Sequence, residues 1–236
     1  MWSAWHNQGI VLSSLSRKDE ALVSYDKAIE LKSDLPQAWC CRGSVLDDLG
    51  RQEEALASYD RALELKPDYH AAWYNRGSVL NDLGHQKAAL ESYDKATEFN
   101  PDDYEAWYNR GAVLCVLGRK EEALASYDRA IELQSGCHEA WYNRGLLLGS
   151  LKRYEEAINS LEQALSLFPD YAGTFYSKAC IYALWDKFEQ ALACLAKAIE
   201  ISPEENRKQA QIDEDFDRIR DHPQFQALVI PPHEDN

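Results

Sequence analysis

The sequence predicts an all-α protein built as a stack of helix pairs, on three observations. Trp5, Trp39, Trp73, Trp107 and Trp141 stand 34 residues apart, Phe175 takes the sixth place, and no insertion breaks the phase. A fixed period of this length marks a repeat array whose neighbouring units share a core. Four residues after each of these positions comes a small residue: Gly9, Gly43, Gly77, Gly111, Gly145 and Ala179. Glycine inside a helix costs stability unless it allows a neighbour to come close. Finally, Ala21, Ala55, Ala89, Ala123, Ala157 and Ala191 are each followed seven residues later by another alanine, from Ala28 to Ala198. That spacing puts both on one stripe of a second helix, beside Tyr25, Tyr59, Tyr93 and Tyr127.

The elements follow in order, with repeats at 2–35, 36–69, 70–103, 104–137, 138–171 and 172–205. Repeat one opens at Trp2 with no polar capping helix before it, although arrays normally need one. An exposed, self-associating end or a piece of a longer chain is expected there. In repeats two to five the helix pairs are expected at 37–49 and 53–65, 70–83 and 87–99, 104–117 and 121–133, and 139–151 and 155–167. Gly50, Gly84 and Gly118 close first helices. Pro67, Pro101, Pro169 and Pro203 lie just past second helices, which they cannot continue. Repeat six is looser, using Phe175, Ala179, Tyr182, Trp185 and Leu195, and keeps the phase. Beyond Pro203 the period ends. Residues 206–212 read as a helix, Phe216 and Ile219 stand three apart, and 223–229 read as a short helix with Pro223 at its start. Residues 206–230 are expected to cap the sixth repeat through Phe216, Ile219, Phe225 and Leu228. Residues 231–236 are expected to be a disordered tail.

These marks, W-x2-R-G, then A-x3-Y-x2-A, then P in a 34-residue period over about 2–205, resemble the tetratricopeptide repeat (TPR) family. The resemblance implies a right-handed superhelix, an α-solenoid of six helix-turn-helix repeats plus C-terminal capping helices. In that family the first helices line a concave groove that receives a peptide or a partner helix. The ending D-x-D-F-x-x-I-R-x-x-P-x-F-Q-A-L is similar to endings of bacterial, notably cyanobacterial, TPR proteins. The chain departs from the family at Arg42, Arg76, Arg110 and Arg144, where Leu is usual. Each of these follows an aspartate by sixteen residues: Asp26, Asp60, Asp94 and Asp128. In repeat six the pair becomes Glu162 and Lys178 together. An ion-pair ladder between adjacent repeats is expected, each Arg laying its stem in the seam.

By the same resemblance, the residues after each Trp face the groove. They are Tyr74-Asn75, Tyr108-Asn109 and Tyr142-Asn143, flanked by His6-Asn7, Cys40-Cys41 and Tyr176-Ser177. An amide donates and accepts at once, so a row of asparagines suits the backbone of an extended peptide. Similar Asn rows occur in the TPR region of the O-linked glycosyltransferases. Repeat duplication alone would also copy Tyr and Asn. The clamp with which some TPR co-chaperones hold a terminal carboxylate needs basic residues where this chain has His6, Ile10, Ala71 and Asn75, so that ligand is not expected. Asp47, Asp48, Asn81 and Asp82 make the N-terminal half of the groove acidic and point to a ligand bearing Lys or Arg. Solvated helix ends are the alternative.

Composition narrows the function. The chain has 236 residues, 40 acidic against 25 basic, and a formal charge of -15. That argues against nucleic acid, whose phosphates need Lys and Arg, and against anionic membrane surfaces. No stretch reads as a spanning helix or a secretory signal. Six cysteines occur without metal-binding spacing, as expected of reduced thiols in the cytoplasm. No nucleophile elbow, phosphate loop or zinc-protease motif is present. Glu53-Glu54, Glu121-Glu122 and Glu155-Glu156 suit helix N-termini by their charge. The expectation is a non-enzymatic, cofactor-free interaction scaffold holding a partner peptide or helix in its groove. The alternative is a self-associating module, a homo-oligomer through its first repeat, or the interaction domain of a larger protein.

Overall fold

The computed structural model describes residues 1–230, and the tail expected at 231–236 lies outside them. Helix pairs follow one another: α1 (Trp2–Ser14) and α2 (Lys18–Leu31), α3 (Pro36–Asp48) and α4 (Gln52–Leu65), α5 (His70–Asp82) and α6 (Gln86–Phe99), α7 (Tyr104–Val116) and α8 (Lys120–Leu133), α9 (His138–Ser150) and α10 (Tyr154–Leu167), α11 (Ala172–Leu184) and α12 (Phe188–Ile201). Then come α13 (Pro203–Ile212), a 3-10 turn over Glu214–Phe216, and α14 (Pro223–Val229). In repeats two to five the first helices end one residue earlier than expected, and the second helices start one residue earlier, at Gln52, Gln86, Lys120 and Tyr154. Two compact units divide the chain inside α8, the first ending at Ser126 and the second starting at Tyr127.

The turns explain the punctuation. Gly50, Gly84 and Gly118 have φ of 74°, 76° and 74°. In each, the N–H after the glycine reaches back to a carbonyl in the last turn of the helix, as when Arg51 donates to Leu46 at 2.8 Å. This closing loop needs a left-handed residue. Ser16, Lys152 and Asp186 hold the equivalent places at φ of 58° to 60°. Lacking glycine's freedom there, they explain why the glycine signal fades in repeats one, five and six. At the start of α2, α4, α8 and α10 an arginine forms a fork with a glutamate three residues on, as between Arg51 and Glu54 at 2.7 Å. The same fork joins Arg17 to Glu20, Arg119 to Glu122 and Arg153 to Glu156. These four glutamates are held below the usual carboxylate range, first by the arginine hydrogen bond.

In the first unit the helix-two alanines and tyrosines form the core. Ala21, Ala28, Ala55, Ala62, Ala89 and Ala96 are fully buried, with Tyr25, Tyr59 and Tyr93 at 1–2% exposure. The tyrosine rings lie against Gly9, Gly43 and Gly77. A Cβ on Gly43 would stand 2.6 Å from Tyr59 Cε1. Close approach is the gain that the glycines bring.

The seam between repeats is built on the recurring arginines. Nε of Arg42, Arg76 and Arg110 donates to Asp26, Asp60 and Asp94 at 2.7, 2.8 and 2.6 Å. In the second unit Arg144 reaches Asp128 at 2.6 Å, and Lys178 reaches Glu162 at 3.1 Å. The other end of each guanidinium donates to a serine of its own repeat, Ser58, Ser92, Ser126 or Ser160, at 2.6–2.7 Å. The guanidinium also lies 5.6–5.9 Å from the ring centre of the Trp three residues before it. Each of these tryptophans ties its indole N–H to a carbonyl six residues earlier, Trp73 to Pro67 at 2.8 Å. The aspartates are about half exposed, so each pair contributes on the order of 1 kcal/mol or less. Their effect is on register.

The second unit ends on a single cluster. Phe216, Ile219, Phe225 and Val229 are buried against Ala179, Ala183, Leu192 and Leu195, with Leu228 packed at the edge. Tyr176 donates to Asp213 at 2.8 Å, and Phe216 stands edge-on to the Tyr176 ring at 5.7 Å.

Candidate protein-interaction face

On α3, α5, α7 and α9 the Arg turns into the seam, while the two residues just after the Trp lie on another face. Residues seven apart share a stripe of a helix. On α5 that aligns Tyr74 with Asn81 and Asn75 with Asp82. On α3 it aligns Cys40 with Asp47 and Cys41 with Asp48. Tyr74, Asn75, Asn81, Tyr108 and Asn109 are half-buried, as is Asp47, while Asp82 is exposed. In the second unit Tyr142 and Asn143 are half-buried on α9.

The row is linked along the stack by hydrogen bonds spanning 35 residues. Asn109 Nδ2 donates to Tyr74 Oη at 3.1 Å, and Asn75 Nδ2 meets Cys40 Sγ at 3.8 Å. In the second unit Tyr142 Oη and Ser177 Oγ are 3.1 Å apart. Tyr176 to Asp213 repeats this link with the C-terminal segment in place of a seventh repeat. Burial, with Glu105 and Asp103 nearby, pushes the Tyr74 phenol up to about 12. Burial likewise pushes the Cys40 thiol up to about 12, with Cys41 adding to it. Both stay protonated at neutral pH, and neither is an activated nucleophile.

The acidic residues do not behave alike. Asp48 has a cation, with Lys18 Nζ at 3.4 Å. Asp47 has its carboxyl raised, by burial first and then by the charges of Asp82 and Asp48. The Asp82 charge on α5 thus acts on Asp47 of α3, and neither residue forms an ion pair among the described residues.

One group escaped the sequence reading. Cys180 Sγ and carboxylate oxygens of Asp213 and Asp215 lie within 4.8 Å of one another. Cys180 is 8% exposed, and burial, then Asp213 and Asp215, push its thiol up. The D-x-D spacing was visible, but its meeting with Cys180 depends on the segment after α13 folding back onto α11. No helix among the described residues is long and apolar enough to cross a membrane.

Comparison with known proteins places this geometry. A tetratricopeptide repeat model matches residues 104–137 and 138–171. A TPR repeat model matches 44–84 and 77–118, and a further tetratricopeptide repeat model matches 3–35 and 172–205. The chain belongs to the tetratricopeptide repeat family. As a TPR protein it is an interaction scaffold in build, all-α and repeating. Its similarity extends to the crystal structure of YrrB, described as a TPR protein with an unusual peptide-binding site. The two share 30% identity over 76% of this chain and 93% of that one, with a TM-score of 0.72. MamA shares 23% identity over 75% of this TPR chain and 95% of its own, with a TM-score of 0.69. The pilF protein of Pseudomonas aeruginosa shares 15% over 86% and 92%, with a TM-score of 0.73. These last two show the fold alone. No curated protein matches the chain by sequence.

Proposed function

We propose that this TPR chain is a non-enzymatic scaffold that holds a segment of a partner protein along its first helices, on Tyr74, Asn75, Tyr108 and Asn109 of the first unit, with Tyr142 and Asn143 the equivalent residues of the second. The observation that carries it is the state of the asparagines. Asn109 spends its N–H on Tyr74 and Asn75 spends one on Cys40. Their Oδ1 atoms accept no hydrogen bond among the described residues. Neither atom is sealed from solvent, so each is open to a donor, and the N–H groups of an extended peptide supply one. The tyrosines add flat apolar area with a polar tip, a type enriched at binding hot spots. Asp47, Asn81 and Asp82 extend the acceptor-rich strip and favour a donor-rich, basic segment. YrrB, a TPR protein with a peptide-binding site, supports the class of ligand.

The test is capture from lysate by the wild type beside a variant with Asn75→Ala, Asn109→Ala and Asn143→Ala, both checked by circular dichroism. A protein held by the wild type and lost by the equally folded variant is the expected result. Equal capture by both would sink the reading.

A second reading, self-association, is favoured by the first unit's α1 and the residue that ends it, where Trp2, Ile10, Val11 and Leu15 are 37%, 46%, 56% and 60% exposed. Exposed apolar side chains in this number on one helix suit a contact surface. On this reading the wild type sediments as a dimer or larger and Val11→Glu as a monomer. A wild type that stays monomeric at high concentration rules it out.

A further inference from the structure

In the second unit an open trough runs between the C-terminal ends of α9 and α11, closed at one end by the 3-10 turn. Leu146, Ile181 and Leu184 form its apolar floor, and Leu146 and Leu184 remain 38% and 36% exposed. Gly149 keeps the floor open, since a Cβ there would come within 3.0 Å of Ile181. At the closed end stand Tyr176 and the half-buried carboxylate of Asp215. Asp213 lies behind it, accepting from the Tyr176 hydroxyl at 2.8 Å and from the Asp215 N–H at 3.0 Å.

The charge at that end has no counterion among the described residues. Among the described residues neither Asp213 nor Asp215 forms an ion pair. The basic groups of the region are engaged elsewhere. Lys178 holds Glu162, Arg218 holds Asp186, and Arg207 donates to the Leu228 carbonyl. Arg220 donates to the Asp213 and Gln211 carbonyls and pairs with Asp217. An apolar trough that ends on an uncompensated carboxylate matches a side chain with an aliphatic stem and a cationic head. A small inorganic cation would meet the charge and leave the leucines uncovered. An acidic segment would be repelled.

We propose that this trough receives an arginine or lysine side chain of the partner segment, its stem on Leu146, Ile181 and Leu184 and its head on Asp215. The inference rests on the reading that a partner segment lies along the first helices, and it fixes the chemistry of one residue of that segment.

The arrangement has a cost in the free protein. Burial first, then the Asp213 charge, raises the Asp215 carboxyl above its ordinary value. A carboxyl whose folded value lies above its unfolded one is destabilising when ionised, and that cost disappears as pH falls through the folded value. Asp215→Asn is therefore at least as stable as the wild type at neutral pH and is deficient in ligand binding. A residue with a purely structural role would lose stability.

The experiment uses the full chain and two heptapeptides with leucines flanking a central residue, which is arginine in one and citrulline in the other. Citrulline keeps the stem and removes the charge. Binding is followed by amide NMR shifts at Gly149, Cys180 and Asp215. The arginine peptide is expected to shift these signals and to bind ~10-fold tighter than the citrulline peptide. Asp215→Asn should abolish that difference, Asp215→Glu should keep part of it, and Asp221→Asn, the same charge change at an exposed position, should leave it intact. Equal binding of the two peptides to the wild type overturns the proposal, as does an arginine preference that survives Asp215→Asn, or no shift at these residues up to millimolar peptide. If equal binding is lost in the triple asparagine variant, the peptide-binding reading stands and only the cation pocket falls.

Discussion

Phe216→Ala is expected to destabilise the C-terminal end of the array by about 3–5 kcal/mol and to leave the first unit unchanged. The ring is fully buried, as is Phe225 beside it at 5.5 Å between centres. It stands edge-on to Tyr176, whose hydroxyl holds Asp213. Removing the ring opens a cavity between α11, α12 and α14, and loosens the segment that covers Ala179, Ala183 and Leu195. Neighbours in an array share stability only with neighbours, so the loss should be local. Hydrogen exchange is the direct check. Amides of α11 to α14 should exchange faster by two orders of magnitude or more, as ~3 kcal/mol requires, while those of α1 to α6 keep their wild-type rates. Uniform acceleration over the whole chain would contradict nearest-neighbour coupling. No acceleration would show that Phe225, Ile219 and Val229 hold the end without Phe216.

The sequence showed whatever repeats. Six copies of one pattern displayed the helix pairs, the glycine closures and the sixteen-residue pairing of Asp with Arg, because each copy is a further trial of the same contact. Even so, half of the arginine's role went unread. Ser58, Ser92, Ser126 and Ser160 also follow their arginines by sixteen residues, and Cys194 follows Lys178. Serine is common enough on helix surfaces that its period carries no charge signal to notice. The links from Asn109 to Tyr74 and from Tyr142 to Ser177 were hidden differently. They join different residue types across repeats, so no single column displays them. The aspartate row looked uniform in sequence, yet Lys18 separates Asp48 from Asp47 and Asp82. The trough over Ile181 was beyond reach, because it exists once, where an irregular segment turns back onto α11. Contacts made once, between elements of different kinds, depend on the path of the chain.

The close contact between Gly43 and Tyr59 yields the other large effect. Gly43→Ala should destabilise the first unit by about 2 kcal/mol, the overpacking cost outweighing the better helix propensity of alanine. The added Cβ would sit 2.6 Å from Tyr59 Cε1 and 2.9 Å from Cδ1 and Cζ. The ring is 1% exposed and packed on all sides, so it cannot swing clear without moving α3 from α4. Repeat six gives the remedy, because Ala179 stands there with Leu195, and both are fully buried. Repeat five keeps Gly145 although Leu161 stands in the ring's place, with its Cγ 2.7 Å from where a Cβ on Gly145 would be, so leucine permits the alanine only where its branched end turns away, as beside Ala179. Gly43→Ala with Tyr59→Leu should therefore be less destabilised than the sum of the two single variants, by about 1 kcal/mol. Urea denaturation of the four proteins measures this coupling. A coupling near zero would mean that the glycine is set by the helix backbone alone, and a coupling of the predicted sign ties Gly43 to the Tyr59 ring of its own second helix.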